Sequence, residues 1–252
     1  MKLVILGCGT STGVPVIGCN CEVCSSRNPR NSRTRASALV QTGGKTILID
    51  TSTDLRAQSL AGGLTRIDAV LFTHCHADHV HGIDELRAFN HAQGSIIPCY
   101  GNAGTIEKIR TSFNYIFQDK SGDGWKPRLT TTAVDSPFEA AGVHVTPVPV
   151  IHGKATILGY RIGDAAYITD CSAIPPESME KLRGLKVLVL DALRHTPHPT
   201  HFNVAQAVEA ADALKPERTL LTHLGHNLDY GVENEKLPSG VELAYDGLEI
   251  EV

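Results

Sequence analysis

The stretch HCHADHVHG, His74 to Gly82, restricts this chain more than any other, because it packs four histidines and an aspartate into nine residues directly behind an apolar run, DAVLFT. DAVLFT reads as a buried strand that delivers Thr73 to its end. His74 and His76 then lie two apart on extended chain and point the same way. Asp78 opens a helix, where a carboxylate suits the free N–H groups, and His79 projects from the first turn. A strand, a loop and a helix start thus bring four donors together, a geometry that suits two divalent ions, one on the His74/His76 side and one on the Asp78/His79 side. His81 falls outside this pattern and is given no ligand role. Gly82 is expected to serve close packing.

Further donors must come from elsewhere. His152 in VTPVPVIHG, Asp170 in AYITDCS and His223 in LLTHLGH each stand at or just past the end of a β-rich run. A lone histidine is as a rule a satisfied surface or core residue, so none of these carries weight alone. Strand ends of a layered fold can bring them to one rim.

The rest of the chain supports such a fold. Short β-rich runs recur (KLVIL, SALVQT, KTILID, ILGYRI, AAYITD, KVLVLDAL, VELAYDG, LEIEV), which implies one large sheet or two. The clearest helix is NVAQAVEAADAL, with Val204, Ala207, Val208, Ala211 and Leu214 on one stripe. DLRAQSLAG, GIDELRAFNHA and GTIEKIRTSFNYIF are further candidates. Strand clusters with helices interspersed favour packed α/β layers over a barrel. A single domain over residues 1–252 is expected from the length. The stripe of Phe113, Ile116 and Phe117 suits either core packing or a homodimer contact, and core is the expected use. Segment 118–130, which holds the one tryptophan, suits either a lid or specificity loop or a plain surface connection, and the connection is the expected use.

Composition narrows the partners. No run of about 18 apolar residues is present to span a membrane, and a formal charge of −4 gives no basic footprint for nucleic acid. The opening MKLVILGCGTSTG turns into Gly-rich chain where an export signal would continue, so a cytoplasmic location is expected. The seven cysteines fit that reading. Three of them, Cys19, Cys21 and Cys24, crowd into GCNCEVC, too close to be ordinary disulfide staples. Their spacing makes a thiolate cup suited to a structural zinc, with His226, three residues past His223, proposed as the fourth ligand. Cys8, Cys75, Cys99 and Cys171 lie in or beside apolar chain, where an inert buried thiol is usual.

With these residues in view, the chain resembles the metallo-β-lactamase superfamily, whose H-x-H-x-D-H signature is matched by His74, His76, Asp78 and His79. The resemblance covers nearly the whole chain. It implies a four-layer αββα sandwich with a dinuclear site of zinc or manganese, one metal held by His74, His76 and His152, the other by Asp78, His79 and His223, with Asp170 between them. Two divalent cations against two carboxylates leave the site positive, so an anionic substrate is drawn in, and a metal-held hydroxide is the expected nucleophile.

GTSTGVPVIGCNCEVC, HGKATILGY, YITDCSAIP, LTHLGHNLD and LPSGVELAYDGLEI further resemble the phosphoribosyl 1,2-cyclic phosphate phosphodiesterases of the carbon-phosphorus lyase pathway of phosphonate breakdown, Cys₃His clamp included. That resemblance implies a metal-dependent phosphodiesterase acting on a small cyclic phosphodiester. It also implies a catalytic role for His201, in PTHFNVAQ, beside that of Asp78. Taken by itself, His201 is equally readable as a surface histidine in a Pro-rich loop with His195 and His198. The competing expectations are a relative that hydrolyses a thioester, a lactone or an RNA phosphodiester, and a non-catalytic protein of the coenzyme-synthesis type.

Overall fold

The computed structural model describes residues 1–118 and 125–252. Its strands are β1 (Lys2–Gly7), β2 (Ser37–Thr42), β3 (Lys45–Ile49), β4 (Ala69–Leu71), β5 (Ile97–Gly101), β6 (Leu129–Ala133), β7 (Phe138–Ala140), β8 (Val143–His152), β9 (Ala155–Ile162), β10 (Ala165–Ile168), β11 (Val187–Asp191), β12 (Arg218–Thr222), β13 (Val241–Leu243) and β14 (Leu248–Glu251). They form two sheets, β14-β1-β2-β3-β4-β5-β6 and β13-β12-β11-β10-β9-β8-β7. The helices are α1 (Leu55–Ala61), α2 (Ala77–Val80), α3 (Leu86–Gln93), α4 (Ala103–Ser112), α5 (Asn114–Phe117), α6 (Pro176–Lys181), α7 (Val204–Leu214) and α8 (Tyr230–Asn234).

The two-residue period of a strand explains the layering. In β1, Leu3 and Ile5 face the core between the sheets, while Val4 and Leu6 face outward into a second cluster under the helices. β2 and β3 repeat this, with Val40, Ile47 and Ile49 inward and Leu39 and Leu48 outward. Leu55, Val80, Leu86, Phe89 and Ile109, from α1 to α4, cover the outer face. In the other sheet, β11 is buried along its whole length, as a parallel strand covered on both faces should be. α7 covers it with Ala207 and Leu214 from the expected stripe, and its start is fixed by a capping box in which Asn203 and Gln206 bond each other's backbone N–H. Each Leu or Ile fully buried this way contributes about 1.5–3 kcal/mol. The result is the expected αββα sandwich.

Local expectations shift in three places. GTIEKIRTSFNYIF breaks at Phe113 (φ −114°, ψ 41°) into α4 and α5, so it is two helices. Ile116 is buried in the outer core and Phe113 and Phe117 pack against it, which is the core use of that stripe. β6 has a largely exposed, Thr-rich sequence and lies at a sheet edge, so it lacks the alternation that would reveal a strand, and it claims the end of segment 118–130. The middle of that segment, 119–124, lies outside the described residues. Finally, Cys8, Cys99 and Cys171 are buried as expected, but Cys75 is half-exposed.

One feature of the topology matters most for function. β3 and β4 run parallel, as do β10, β11 and β12, and β8 runs in the same sense as β10 through the antiparallel β9. The carboxyl ends of each set therefore open on one rim, the edge where open parallel sheets present their ligands.

Candidate metal centre

His74, His76, His152 and Asp170 offer ligand atoms that all lie within 4.8 Å of one another, and so do Asp78, His79 and His223. The first group joins the β4 and β8 ends with the residue just past β10. The second joins the short α2 with the end of β12. Asp170 is 3.8 Å from His74 Nε2, 3.2 Å from His79 Nε2 and 3.3 Å from His223 Nε2, so it faces both groups. Asp78 lies 3.3 Å from His79 Nε2 and 3.7 Å from His223 Nε2. His76 caps α2 without a side-chain cap bond, so Asp78 sits one residue inside the helix and turns its carboxylate to these imidazoles.

The outer nitrogens of three of the buried imidazoles, His79, His74 and His152, are already committed, whereas His223 Nδ1 has only Asp191 Oδ1 nearby, at 3.7 Å. His79 Nδ1–H donates to Asp50 Oδ2 at 2.7 Å. Thr73 Oγ1 spends its proton on the same oxygen at 2.7 Å, so at 3.0 Å it must accept from His74 Nδ1–H. Thr73 N–H completes the knot on Asp50 Oδ1 at 2.8 Å. On the far side, His152 Nδ1–H donates to the Thr200 carbonyl at 2.8 Å. The inward Nε2 atoms of His74, His79 and His223 are buried with no hydrogen-bond partner among the described residues. Unpartnered buried nitrogens are costly, and three converging on two carboxylates fit a pair of divalent ions. Imidazole and carboxylate donors suit zinc or manganese.

Backbone strain marks the same place. Asp50, Asp170 and His223, at or beyond the ends of β3, β10 and β12, hold left-handed φ angles of 61°, 54° and 59°, a region non-glycine residues avoid. Gly82 also earns its expectation, since a Cβ there would meet the Ser52 carbonyl oxygen at 2.0 Å. His81 stays out of the centre, exposed with its ring against Phe113.

The charges oppose their burial. Burial alone would push Asp170 and Asp78 up. The imidazoles of His223, His79 and His74 hold Asp170 well below the usual carboxylate range, and His223 and His79 do the same for Asp78. Burial also works against a charged His79, yet Asp170 and Asp50 hold it above the ordinary imidazole value; His74, chiefly through burial and then through His79, lies well below it.

His201 reaches the rim from the loop before α7. Its ring stacks on His223 at 4.7 Å and 10°, and its Nε2 is 4.0 Å from Asp170 Oδ1. Its Nδ1 faces Asp191 Oδ2 at 3.2 Å, and that oxygen also accepts from the N–H groups of Cys171 and Phe202. Asp191 Oδ1 is 3.7 Å from His223 Nδ1. One buried carboxylate thus touches the neighbour of Asp170, the ring of His201 and the edge of His223. Asp50 and Asp191 were both missed in the sequence, although KTILID and VLVLD carry the cue that singled out Asp170, an acid at the end of an apolar strand.

The second cluster also forms. The Sγ atoms of Cys19, Cys21 and Cys24 lie 3.3, 3.4 and 3.6 Å from His226 Nδ1. A tetrahedral zinc with its usual sulfur and nitrogen bond lengths puts such atoms about 3.5 Å apart. Backbone N–H groups also point at the sulfurs, from Val16 to Cys24 and from Cys24 to Cys21. The Cys24 N–H, ahead of any other influence, draws the Cys21 thiol down to about 6, toward the thiolate form a metal takes. Burial pushes Cys24 up to about 11. Arg33, fully buried, donates to the carbonyls of Gly225 and Leu228 and so fastens the loop that carries both His223 and His226.

Comparison with known proteins agrees on the family across most of the chain, while the relatives' activities differ. Residues 45–224 match the model of the beta-lactamase superfamily domain. A solved structure described as a new diphosphatase from the PhnP family is 45% identical, with a TM-score of 0.93, over 100% of this chain and 97% of that one. An octanoyltransferase of Porphyromonas gingivalis is 39% identical over 99% of this chain, but the chain spans only 51% of that relative's length. Coenzyme PQQ synthesis protein B of Methylorubrum populi is 30% identical, covering 76% of this chain and 72% of that protein.

Proposed function

This chain belongs to the metallo-β-lactamase superfamily, and from that premise we propose that it is a dinuclear-metal hydrolase of a small phosphodiester, with a phosphoribosyl cyclic phosphate as the substrate class. The observation that carries the reading is the convergence of three imidazole nitrogens without a partner among the described residues on Asp170 and Asp78, with His201 beside them, its ring nitrogen grouped with Asp170 and His223. When bound, two divalent ions supply Lewis-acid polarisation of a phosphoryl oxygen and a water acidified toward neutral pH.

The chain's own residues account for the rest. His74, His76 and His152 would hold one ion, Asp78, His79 and His223 the other, and Asp170 would lie between them. Asp50, Thr73 and Thr200 fix the tautomers of His79, His74 and His152, so that each presents a lone pair inward. With Nδ1–H given to Asp191, His201 turns Nε2 toward the substrate. A proton carried there is delivered to the leaving alkoxide oxygen as the P–O bond breaks. The Cys₃His cluster would hold a structural zinc that ties the N-terminal loop to the loop bearing His223.

The 45%-identical diphosphatase favours a second reading, cleavage of a phosphoanhydride at the same centre. Octanoyl transfer is less well supported, because this chain matches half of that relative and acyl transfer needs an activated nucleophile. Of the cysteines outside the Cys₃His cluster, Cys8, Cys171 and Cys99 are buried thiols whose pKa burial pushes up, which leaves the half-exposed Cys75 as the one accessible thiol among them. The test is a steady-state assay of the zinc- or manganese-loaded protein on bis(p-nitrophenyl) phosphate, a ribosyl cyclic phosphate and a nucleoside diphosphate ester. Turnover of the diesters supports the reading, turnover of the anhydride alone selects the second, and no turnover with either metal returns the chain to a binding role.

A further inference from the structure

We propose that Arg194 and His198, on the loop between β11 and α7, form an outer anion subsite that takes a second phosphate group of the substrate. The proposal rests on the phosphoester reading above and adds a binding site to it. The loop is held at several points: Leu193 N–H donates to the Phe202 carbonyl, Val204 N–H to the Arg194 carbonyl and Gly225 N–H to the Leu193 carbonyl. It also lies tight on the β8–β9 turn, where Gly153 has a φ of 62° and a Cβ would meet Thr200 Cγ2 at 2.8 Å.

Thr200 orients two imidazoles at once. Its carbonyl accepts from His152 Nδ1–H at 2.8 Å, while its N–H and Oγ1 approach His198 Nδ1 at 3.4 and 3.1 Å. A backbone N–H can only donate, so His198 Nδ1 accepts and the neutral ring carries its proton on Nε2. Burial first, then the charges of His201 and Arg194, keep His198 below the ordinary imidazole value, in keeping with that neutral form. Its ring lies 5.1 Å from that of His201, which is itself 4.9 Å from His152. His198 is therefore the next ring outward from the metal donors, with a fixed N–H donor and no charge to repel a loaded centre.

Arg194 supplies the charge. Its Nε and Nη2 donate to the carbonyls of Thr196 and Pro197, which curls the guanidinium over the residues just before His198 and leaves Nη1 without a partner among the described residues. The nearby Glu233 is engaged by His195 at 3.0 Å and Lys236 at 3.5 Å. A guanidinium and a neutral N–H donor on one short loop, close enough for the charge of Arg194 to act on the His198 ring, suit a phosphate group. A small substrate whose reacting phosphate is drawn to the metals would set a second phosphate, carried on its sugar or on a diphosphate, against them.

The experiment compares a ribosyl 1,2-cyclic phosphate with and without a 5-phosphate. In the metal-loaded wild type the 5-phosphate is expected to lower KM by about tenfold, the gain of one charge-assisted contact. The ratio should fall to near one in Arg194→Met and His198→Leu, and Arg194→Lys should recover part of it. An unchanged ratio in both variants, or equal KM values in the wild type, overturns the subsite. In parallel, ¹⁵N-histidine spectra of the zinc-loaded protein are recorded during titration with ribose 5-phosphate. His198 should show an unprotonated Nδ1, and its Nε2–H should shift saturably in the wild type and not in Arg194→Met. This second readout separates the two readings. Turnover of bis(p-nitrophenyl) phosphate with no His198 response sinks the subsite and leaves the hydrolase, whereas a saturable response without turnover of any ester leaves the subsite and sinks the hydrolase.

Discussion

The two donor clusters of this molecule are built on opposite plans. The rim cluster is made mostly of buried side chains, three of whose outer nitrogens are spoken for by Asp50, Thr73 and Thr200, and three backbone positions at or beside it are strained. The Cys₃His cluster is half-exposed and gathers three ligands from six consecutive residues, supported by nearby backbone N–H groups. The rim keeps His76 exposed and His201 adjacent, so it has an open side on which a reaction can occur. The cysteine cluster is a closed set of four, with no position left for a substrate. Openness and a partnered outer shell go with chemistry; closure and a short ligand span go with bracing.

The largest expected effect probes the open side. His201→Ala should lower kcat on a phosphodiester by about 10²–10⁴-fold, the scale of a lost general acid, with both rim metals retained by elemental analysis. Unchanged turnover removes His201 from the reaction.

Next comes the closed cluster. Cys21→Ala should lose one zinc equivalent and about 3–4 kcal/mol of unfolding stability in zinc-containing buffer, the linkage expected of a ligand at several hundred times its Kd. Full zinc content in this variant would overturn the Cys₃His assignment.

Asp50→Asn tests whether the outer shell matters only at the rim. It should weaken metal binding there by about 10–100-fold while the zinc of the cysteine cluster stays in place. Equal losses at both clusters would mean that the substitution damages the fold.

The smallest effect lies beside the bracing loop. Asp229 caps α8 through the Gly231 and Val232 N–H groups and accepts from Asn31, and the Val232 N–H, more than burial opposes, holds its carboxyl below the ordinary value. Asp229→Ala should cost about 1 kcal/mol. Because the folded pKa is depressed, this contribution is complete above the unfolded value of about 3.9 and is lost as pH falls below it. The difference between wild type and variant in urea midpoints should therefore shrink in acid; a difference that stays constant to low pH assigns the effect to packing.

The donors were legible because they are local. HCHADH and GCNCEVC compress their ligands into a few residues, and His152, Asp170 and His223 each follow an apolar run that could only be a strand. The layering was legible for the same kind of reason, since Leu3 to Leu6 and Ile47 to Ile49 alternate faces with a period the chain itself displays. The exposed edge strand β6 carries no such period and was not readable. Nor was the break at Phe113, where the helical pattern continues but the backbone turns.

What the chain determined by itself, then, is which residues can bind metal and which faces must be buried, because both follow from side-chain chemistry at short sequence separation. Tertiary structure alone decided the tautomers and which carboxylates and carbonyls the imidazoles face. Asp50 reaches His79 across 29 positions, Asp191 reaches His201 across 10, and Thr200 joins His152 to His198 over 48 positions on one side and 2 on the other. Hydrogen bonds of this kind depend on where strand ends meet, and neither spacing nor periodicity along the chain encodes that meeting.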